Sequence, residues 1–309
     1  MMRQHCYSFS AALLRMIRIL SGIARHPLNR HRPFAAIGRF VAWQLGTRLL
    51  GAPVAMPFIG STRLLVRRGM VGATGNVYYG LQEFEDMAFV VHALRQGDVF
   101  VDVGANVGSY TVLAAGVSGA RCIALEPVPS TFDSLLDNVR LNDLTARVEC
   151  HNVAAGSAAG TLTFTADLDT CNHAALDGEP SDNTLQVPVT TLDSVLQAAR
   201  PTLIKIDVEG FETKVIEGAE HTLQSPGLLG VLMELNGSGA RYGFDETRLH
   251  ERMLSFGFEA AAYDPARREL TRRQVAGKRE GNILYIRRWS EIETRLKTAA
   301  RVQVRDSSL

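Results

Sequence analysis

The 309-residue sequence predicts an α/β fold: a doubly wound, mostly parallel sheet covered on both faces, with a helical N-terminal extension and a β-rich insertion. Three observations carry that prediction. Apolar residues make up 46% of the chain, enough for a substantial core. From Gly97-Asp98 onward, short apolar runs alternate with stretches of helical periodicity. The first of those runs ends in a glycine-rich turn that opens a helix, the place where open α/β sheets present ligand sites.

The elements follow in chain order. Residues 1–50 hold eight arginines (3, 15, 18, 25, 30, 32, 39 and 48) and no Asp or Glu. Leu13, Leu14, Ile17 and Leu20 recur at helical spacing, and Pro27 and Pro33 divide the segment into short helices. A basic amphipathic helix can lie on an anionic membrane surface. Docking onto the main domain is the default, since a helix needs an apolar stripe merely to pack. Ser61–Val71 reads as a small β-hairpin, Gly72, Gly75 and Gly80 as punctuation of a loop, and Glu83–Leu94 as a helix. The alternation then runs Val99–Val103 (strand), Ser109–Val117 (helix), Cys122–Leu125 (strand) and Thr131–Leu141 (helix, with a Ser130 cap). Val148–Val153 is a third strand. Leu203–Ile206 and Leu229–Leu235 flank a helix over Glu212–Leu223, and Arg248–Phe256 is another helix. Phe258–Tyr263 and Ile283–Ile286 close the sheet, while Thr161–Val189 interrupts it as a β-rich insertion with a loop at Asp167–Pro180. The organisation is therefore an extension over residues 1–60, one domain over 61–290, and a C-terminal helix and tail over 291–309. The extension supplies none of the residues at the sheet edge, so it is expected to be dispensable for ligand binding there.

Lys+Arg 33 against Asp+Glu 32 leaves the chain near neutral, which speaks against a nucleic-acid partner. Cys6, Cys122, Cys150 and Cys171 form no C-x-x-C pair and fit buried thiols in a reducing compartment. No run of about 18 uncharged apolar residues and no secretory h-region appears. The expected location is cytoplasmic, with peripheral membrane contact through the basic N-terminus as the alternative.

The turn reads Asp102-Val103-Gly104-Ala105-Asn106-Val107-Gly108-Ser109-Tyr110-Thr111, and Glu126 ends the next strand 22 residues after Gly104. An acid there can accept both ribose hydroxyls of a nucleoside. A nicotinamide dinucleotide site shares the glycine turn and the later acid. It needs glycine where Asn106 stands, and Asp102 would repel a pyrophosphate. S-adenosylmethionine has no phosphate, and its ammonium group would be attracted to Asp102 directly or through water. The set expected to hold it is Asp102, Gly104, Asn106, Gly108, Tyr110, Glu126 and Pro127. Asn152 and Ala154, at the end of the third strand, border the adenine or form a plain strand end.

Three blocks, Phe100–Thr111 (FVDVGANVGSYT), Ile123–Pro127 (IALEP) and Leu203–Gly218 (LIKIDVEGFETKVIEG), make residues 76–286 resemble the FkbM-type methyltransferases. The third block is the family's specific mark. The resemblance implies a Rossmann-like class I methyltransferase fold, S-adenosylmethionine as donor, and O-methylation of a sugar, glycan or secondary-metabolite hydroxyl.

Asp207 and Glu209 emerge after the fourth strand and Glu234 after the fifth, on the acceptor side. Three converging carboxylates fit a general base for a hydroxyl acceptor, or an oxygen-ligand site for Mg²⁺. Glu209 also fits a plain helix N-terminal acid. His173, in the insertion, suits proton removal or a solvated loop equally. Arg267, Arg268, Arg272, Arg273, Lys278 and Arg279 fit a solvated hairpin better than a grip on an anionic acceptor. An N-methyltransferase, a nucleic-acid methyltransferase and a non-catalytic scaffold are the competing readings. The near-neutral charge and the lack of an Asn/Asp-Pro-Pro-aromatic tetrapeptide weigh against the first two. The intact Asp102/Asn106/Glu126 set weighs against the third.

Overall fold

The computed structural model describes residues 14, 16–165, 172–175, 184–275 and 281–309. The expected positions Arg3, Leu13, Arg15, Cys6, Cys171, Lys278 and Arg279 lie outside the described residues.

The chain opens with helix α1 (residues 16–25) and helix α2 (Pro33–Leu50), the latter started by Pro33 in its first turn. A hairpin follows, β1 (Val54–Pro57) against β2 (Arg63–Val66). It begins earlier than the sequence suggested, because its turn lies at residues 58–62. Next come α3 (Val71–Tyr79) and α4 (Phe84–Ala93). The alternating region holds β3 (Val99–Val103), α5 (Ser109–Val112, continuing as a π-helix over Leu113–Val117), β4 (Arg121–Leu125), α6 (Pro129–Leu141) and β5 (Val148–His151). The insertion forms a separate small sheet from β6 (Ala154–Ala155), β7 (Gly160–Thr165) and β8 (Thr184–Thr190), in the order β6-β8-β7. Then come α7 (Leu192–Leu196), β9 (Leu203–Ile206), α8 (Glu212–Glu217), α9 (Glu220–Gln224) and β10 (Gly230–Glu234). The chain closes with α10 (Glu246–Ser255), β11 (Glu259–Asp264), β12 (Glu269–Arg272), β13 (Asn282–Ile286), α11 (Trp289–Thr298) and a hairpin of β14 (Gln303–Val304) and β15 (Ser307–Ser308).

The main sheet has eight strands ordered β12-β11-β13-β10-β9-β3-β4-β5. The run β10-β9-β3-β4-β5 is parallel, and β13 pairs antiparallel with both β10 and β11. The expected doubly wound, mostly parallel sheet is present, extended by the edge strand β12. Successive residues of its central strands alternate between two cores. Phe100, Cys122, Ala124 and Leu203 face one, and Val101, Val103, Ile123, Leu125, Ile204 and Ile206 face the other. Burial on both faces explains why these strands read as continuous apolar runs.

Three local expectations are corrected. Gly72 and Gly75 do not mark a loop; both lie inside α3. A Cβ on Gly75 would stand 1.8 Å from Oε1 of Gln82, so this glycine lets the chain fold back against the helix. Ser130 is not a cap but a first-turn residue of α6, which starts with Pro129. The single helix expected over Glu212–Leu223 is two, broken at Gly218, where a Cβ would lie 2.0 Å from the Gly156 carbonyl oxygen.

α3 is held from two sides. Ile23, Ala36 and Phe40 of the first helices pack with Tyr78 and Tyr79, and Trp43 reaches the main core. The Asn29 side-chain amide donates to the carbonyls of Ile23 (3.0 Å) and Tyr78 (3.1 Å). From the C-terminal hairpin, the Arg305 guanidinium donates to the carbonyls of Asn76 (2.9 Å), Val77 and Tyr78 (3.1 Å) in the last turn of the helix.

Candidate active site

The five parallel strands follow the chain order 3-2-1-4-5, so the winding direction switches between β3 and β9. Open α/β sheets bind ligands outside the carboxyl ends of the strands at such a point. A cleft of about 250 Å³ opens there. The turn after β3, the end of β4, residues 153–155, Gln82 and Glu83 ahead of α4, and the ends of β9 and β10 line it. Phe164 and Asn172 of the insertion also line it.

The turn is shaped for close approach. Gly104 has φ 76°, and a Cβ there would stand 1.8 Å from the Asp207 backbone oxygen. Only glycine lets the ends of β3 and β9 lie so close. Asn106 adopts the left-handed region (φ 52°), and its Oδ1 accepts the Val107 N–H at 2.7 Å, the local bonding that makes this conformation accessible to Asn. Gly108 precedes α5 with φ 86°, and a Cβ would meet Leu135 at 2.5 Å.

Glu126 sits where the second parallel strand ends, only 6% exposed. Its carboxylate accepts the Asn106 N–H at 2.9 Å and the Val128 N–H at 3.0 Å. Two carboxylate oxygens offer about four lone-pair sites, so capacity for a ligand's hydroxyls remains. Burial pushes this carboxyl up to about 7, against the two N–H bonds that hold it down. Pro127 and Ala154 line the cleft. Asn152 does not. Its amide donates to the carbonyls of Glu126 (2.8 Å) and Pro127 (3.0 Å), fixing that corner from behind.

Asp102 lies beneath the turn, 1% exposed and outside the cleft lining. Thr111 Oγ1 donates to its Oδ2 at 2.6 Å, and its Oδ1 has no hydrogen-bond partner among the described residues. Burial raises its pKa, and Lys205 and the Thr111 bond oppose the shift. Lys205 is its register partner on β9. Nζ of this buried lysine bonds Asp207 Oδ2 at 2.8 Å and stands 4.9 Å from the Tyr110 ring centre. Burial alone would discharge it, but Asp207, Asp102 and Glu83 outweigh burial and keep it ionised. The Tyr110 hydroxyl donates to Glu83 Oε2 at 2.5 Å.

Asp207, Glu209 and Glu234 do converge, each offering a ligand atom within 4.8 Å of the others. Glu209 holds φ 53°, a strained conformation for a non-glycine residue and one concentrated at functional sites. The turn after it is fixed by Glu212, whose Oε1 accepts the N–H groups of Val208 and Gly210, each at 3.2 Å. Burial and the negative charge of Asp207 push the Glu209 carboxyl up to about 7, and Arg241 and His173 pull it back. Glu234 rises well above the carboxylate range, through burial and its acidic neighbours Asp207 and Glu209. Burial and these neighbours favour its protonated form at neutral pH, the proton being held between it and Asp207. His173 is buried in the insertion beside its strand β7, where its N–H donates to Thr165 Oγ1 at 3.1 Å, and it does not line the cleft.

Sequence reasoning missed Lys205, Glu83 and Glu212. A lysine inside the apolar run Leu203–Ile206 was a visible signal, but its pairing with Asp102 needs the strand register. Glu83 and Gln82 reach the cleft only because α3 turns back at Gly80, and nothing local announces that.

Residues 102–263, just over half of the chain, match the family described as the methyltransferase FkbM domain. Among curated proteins, the chain is similar to the hexuronic acid methyltransferase AglP of Haloferax volcanii, 25% identical over 146 residues. That match covers 46% of this chain and 59% of the relative. It is also similar to methyltransferase sdnD of Sordaria araneosa, 25% identical over 171 residues, which cover 44% of this chain and 66% of that one. The chain thus spans less than two thirds of the length of these two relatives, 59% and 66%. Among solved structures it is similar to the methyltransferase FkbM of Methylobacillus flagellatus KT, with 17% identity and a TM-score of 0.45 over 82% of this chain and 60% of that one. Given that family match, set on a doubly wound sheet with its cleft at the switch point, the chain belongs to the FkbM methyltransferase family.

Proposed function

We propose that the protein methylates a hydroxyl group of a saccharide or related hydroxylated metabolite, with S-adenosylmethionine as donor. The observation that carries the donor part of this reading is the acidic lining of the cleft. Glu83, Glu126, Asp207, Glu209 and Glu234 line it, and Lys205 is the one cationic side chain among the described lining residues. Such a cleft suits a cationic ligand and disfavours a pyrophosphate. The Gly104 cradle and the Glu126 carboxylate fit the donor's nucleoside: Glu126 would hold the ribose hydroxyls, and Val128, Val153 and Ala154 would border the base. Glu83 would face the ammonium group. Asp102, sealed under the turn, would act through its field and not by contact.

When bound, the donor supplies an electrophilic methyl on a sulfonium. The protein's own part is to take the proton. Glu209, with a carboxyl near 7, is poised to accept the hydroxyl proton as the acceptor oxygen gains the methyl and the sulfonium–methyl bond breaks. Asp207 is committed to Lys205, and Glu234 is already protonated. A hydroxylated acceptor also accords with the hexuronic acid methyltransferase among the similar proteins. Asp207, Glu209 and Glu234 are the residues that would hold a divalent cation. Lys205 Nζ already answers Asp207, so we propose turnover without a metal.

The test has two parts. Calorimetry with S-adenosylhomocysteine should show binding. A screen of sugars and hydroxylated metabolites, with labelled methyl donor, should then yield an O-methylated product that survives EDTA. No binding would overturn the donor assignment, methyl on nitrogen would overturn the acceptor class, and loss of turnover restored by Mg²⁺ would install the metal.

A further inference from the structure

α2 is apolar on two opposite sides. Ala36, Phe40, Trp43 and Thr47 recur every three or four residues and are buried. Phe34, Val41, Leu45 and Leu49 form a second row, 87%, 46%, 58% and 86% exposed, with exposed Gly38 and Ala42 between them. At 3.6 residues per turn the two rows lie on opposite faces of the helix. Packing onto a domain needs one apolar stripe. The outer row is therefore not explained by docking, and a helix that is apolar all round is normally covered. In α1, Met16 and Ile17 are exposed as well, as is Leu14 before them.

The charge that this segment itself carries has one sign. Between residues 14 and 50 the chain carries no Asp or Glu, and Arg18, Arg25, Arg30, Arg32 and Arg48 are exposed. Arg32 pairs with Asp306, and Arg48 sits one turn after Leu45 and directly before Leu49. Two copies joined through this face would bring like charges together with no carboxylate from this segment to answer them. An anionic bilayer answers both features, taking the apolar row into its interface and the arginines at its headgroups. Among the described residues no helix is long and apolar enough to cross a membrane, so the geometry is that of a surface-lying helix.

We propose that the outer face of α1 and α2 seats the protein on an anionic lipid surface. None of the cleft residues enters this inference, so it stands or falls apart from the proposed reaction. The test is flotation of the full chain with vesicles of about 30% phosphatidylserine in phosphatidylcholine. The protein should float with these vesicles, float less with pure phosphatidylcholine, and lose binding as salt rises, since screening weakens the arginine attraction. Phe34→Asp/Leu45→Asp should lower the vesicle partition at least about tenfold. Both side chains are exposed, so circular dichroism and S-adenosylhomocysteine affinity should stay unchanged. Failure of the full chain to float with anionic vesicles overturns the proposal, as does flotation of the double variant at the original level. A dimer in solution that the double variant converts to monomer would assign the face to a second copy and equally overturn it.

Discussion

Replacing Glu209 by Gln removes one charge and changes little else in shape, so it isolates the base. With the carboxyl near 7, about a tenth of the protein is in the active ionisation state at pH 6 and about nine-tenths at pH 8. The wild-type kcat/KM should therefore rise about tenfold per pH unit below 6, about fivefold between pH 6 and 7, and level off above 8. A positioned base contributes about 10²- to 10⁴-fold, so Glu209→Gln should lower kcat by that order and erase the inflection. S-adenosylhomocysteine affinity should stay within about threefold, because the proposed reaction puts Glu209 on the acceptor side. Stability should move the other way. A carboxyl raised from 4.5 to about 7 makes the folded chain bind its proton more tightly than the unfolded chain. Its contribution is complete below the unfolded value and is lost as pH climbs through 7. The shift corresponds to about 3 kcal/mol as an upper bound, and partial exposure to the cleft reduces this to about 1–2 kcal/mol. Urea unfolding at pH 8 should thus find Glu209→Gln more stable than wild type, with the gap closing near pH 5. Full turnover in Glu209→Gln, or a flat wild-type profile between pH 6 and 8, would refute Glu209 as base.

Glu126→Ala should weaken S-adenosylhomocysteine binding by about 2–3 kcal/mol, roughly 30- to 150-fold in Kd, measured by calorimetry. Unchanged affinity with an intact fold would remove Glu126 from the site. Glu234→Gln puts an amide donor where a protonated carboxyl already donates to Asp207, so kcat at pH 7 should stay within several-fold and stability within about 1 kcal/mol. A hundredfold loss would move the base from Glu209 to Glu234. A chain beginning at Ser61 loses Ile23, Phe40 and Trp43, whose burial is worth about 5 kcal/mol or more in total. Its melting temperature should fall and its S-adenosylhomocysteine affinity weaken, in contrast to the dispensability that the sequence suggested.

The parallel sheet was legible because its strands are buried on both faces and its helices on one, which writes two different periods into the chain. The glycine turn and Glu126 were legible for a related reason: a ligand at a strand end needs particular residue types at fixed offsets. α3 was misread because Gly72 and Gly75 argue locally for a loop, while the packing that makes them a helix comes from Gln82, the first helices and Arg305. The Lys205–Asp102 pairing was hidden because it depends on the register of β3 against β9, which are about 100 residues apart in sequence. Glu234 could be placed at a strand end from its position, but its protonation follows from Asp207 and Glu209 standing beside it, a tertiary fact.

The chemistry and the periphery meet at α3. Gly72 near its start and Gln82 and Glu83 just beyond its end line the cleft, while Tyr78 and Tyr79 carry the packing of the first helices. Arg305 secures the same helix end from the C-terminal hairpin; burial lowers the guanidinium to about 10, still charged at neutral pH. The segments outside the residues that match the family thus hold one wall of the cleft. That arrangement explains why an extension that supplies no residue at the sheet edge nonetheless buries large side chains against the domain.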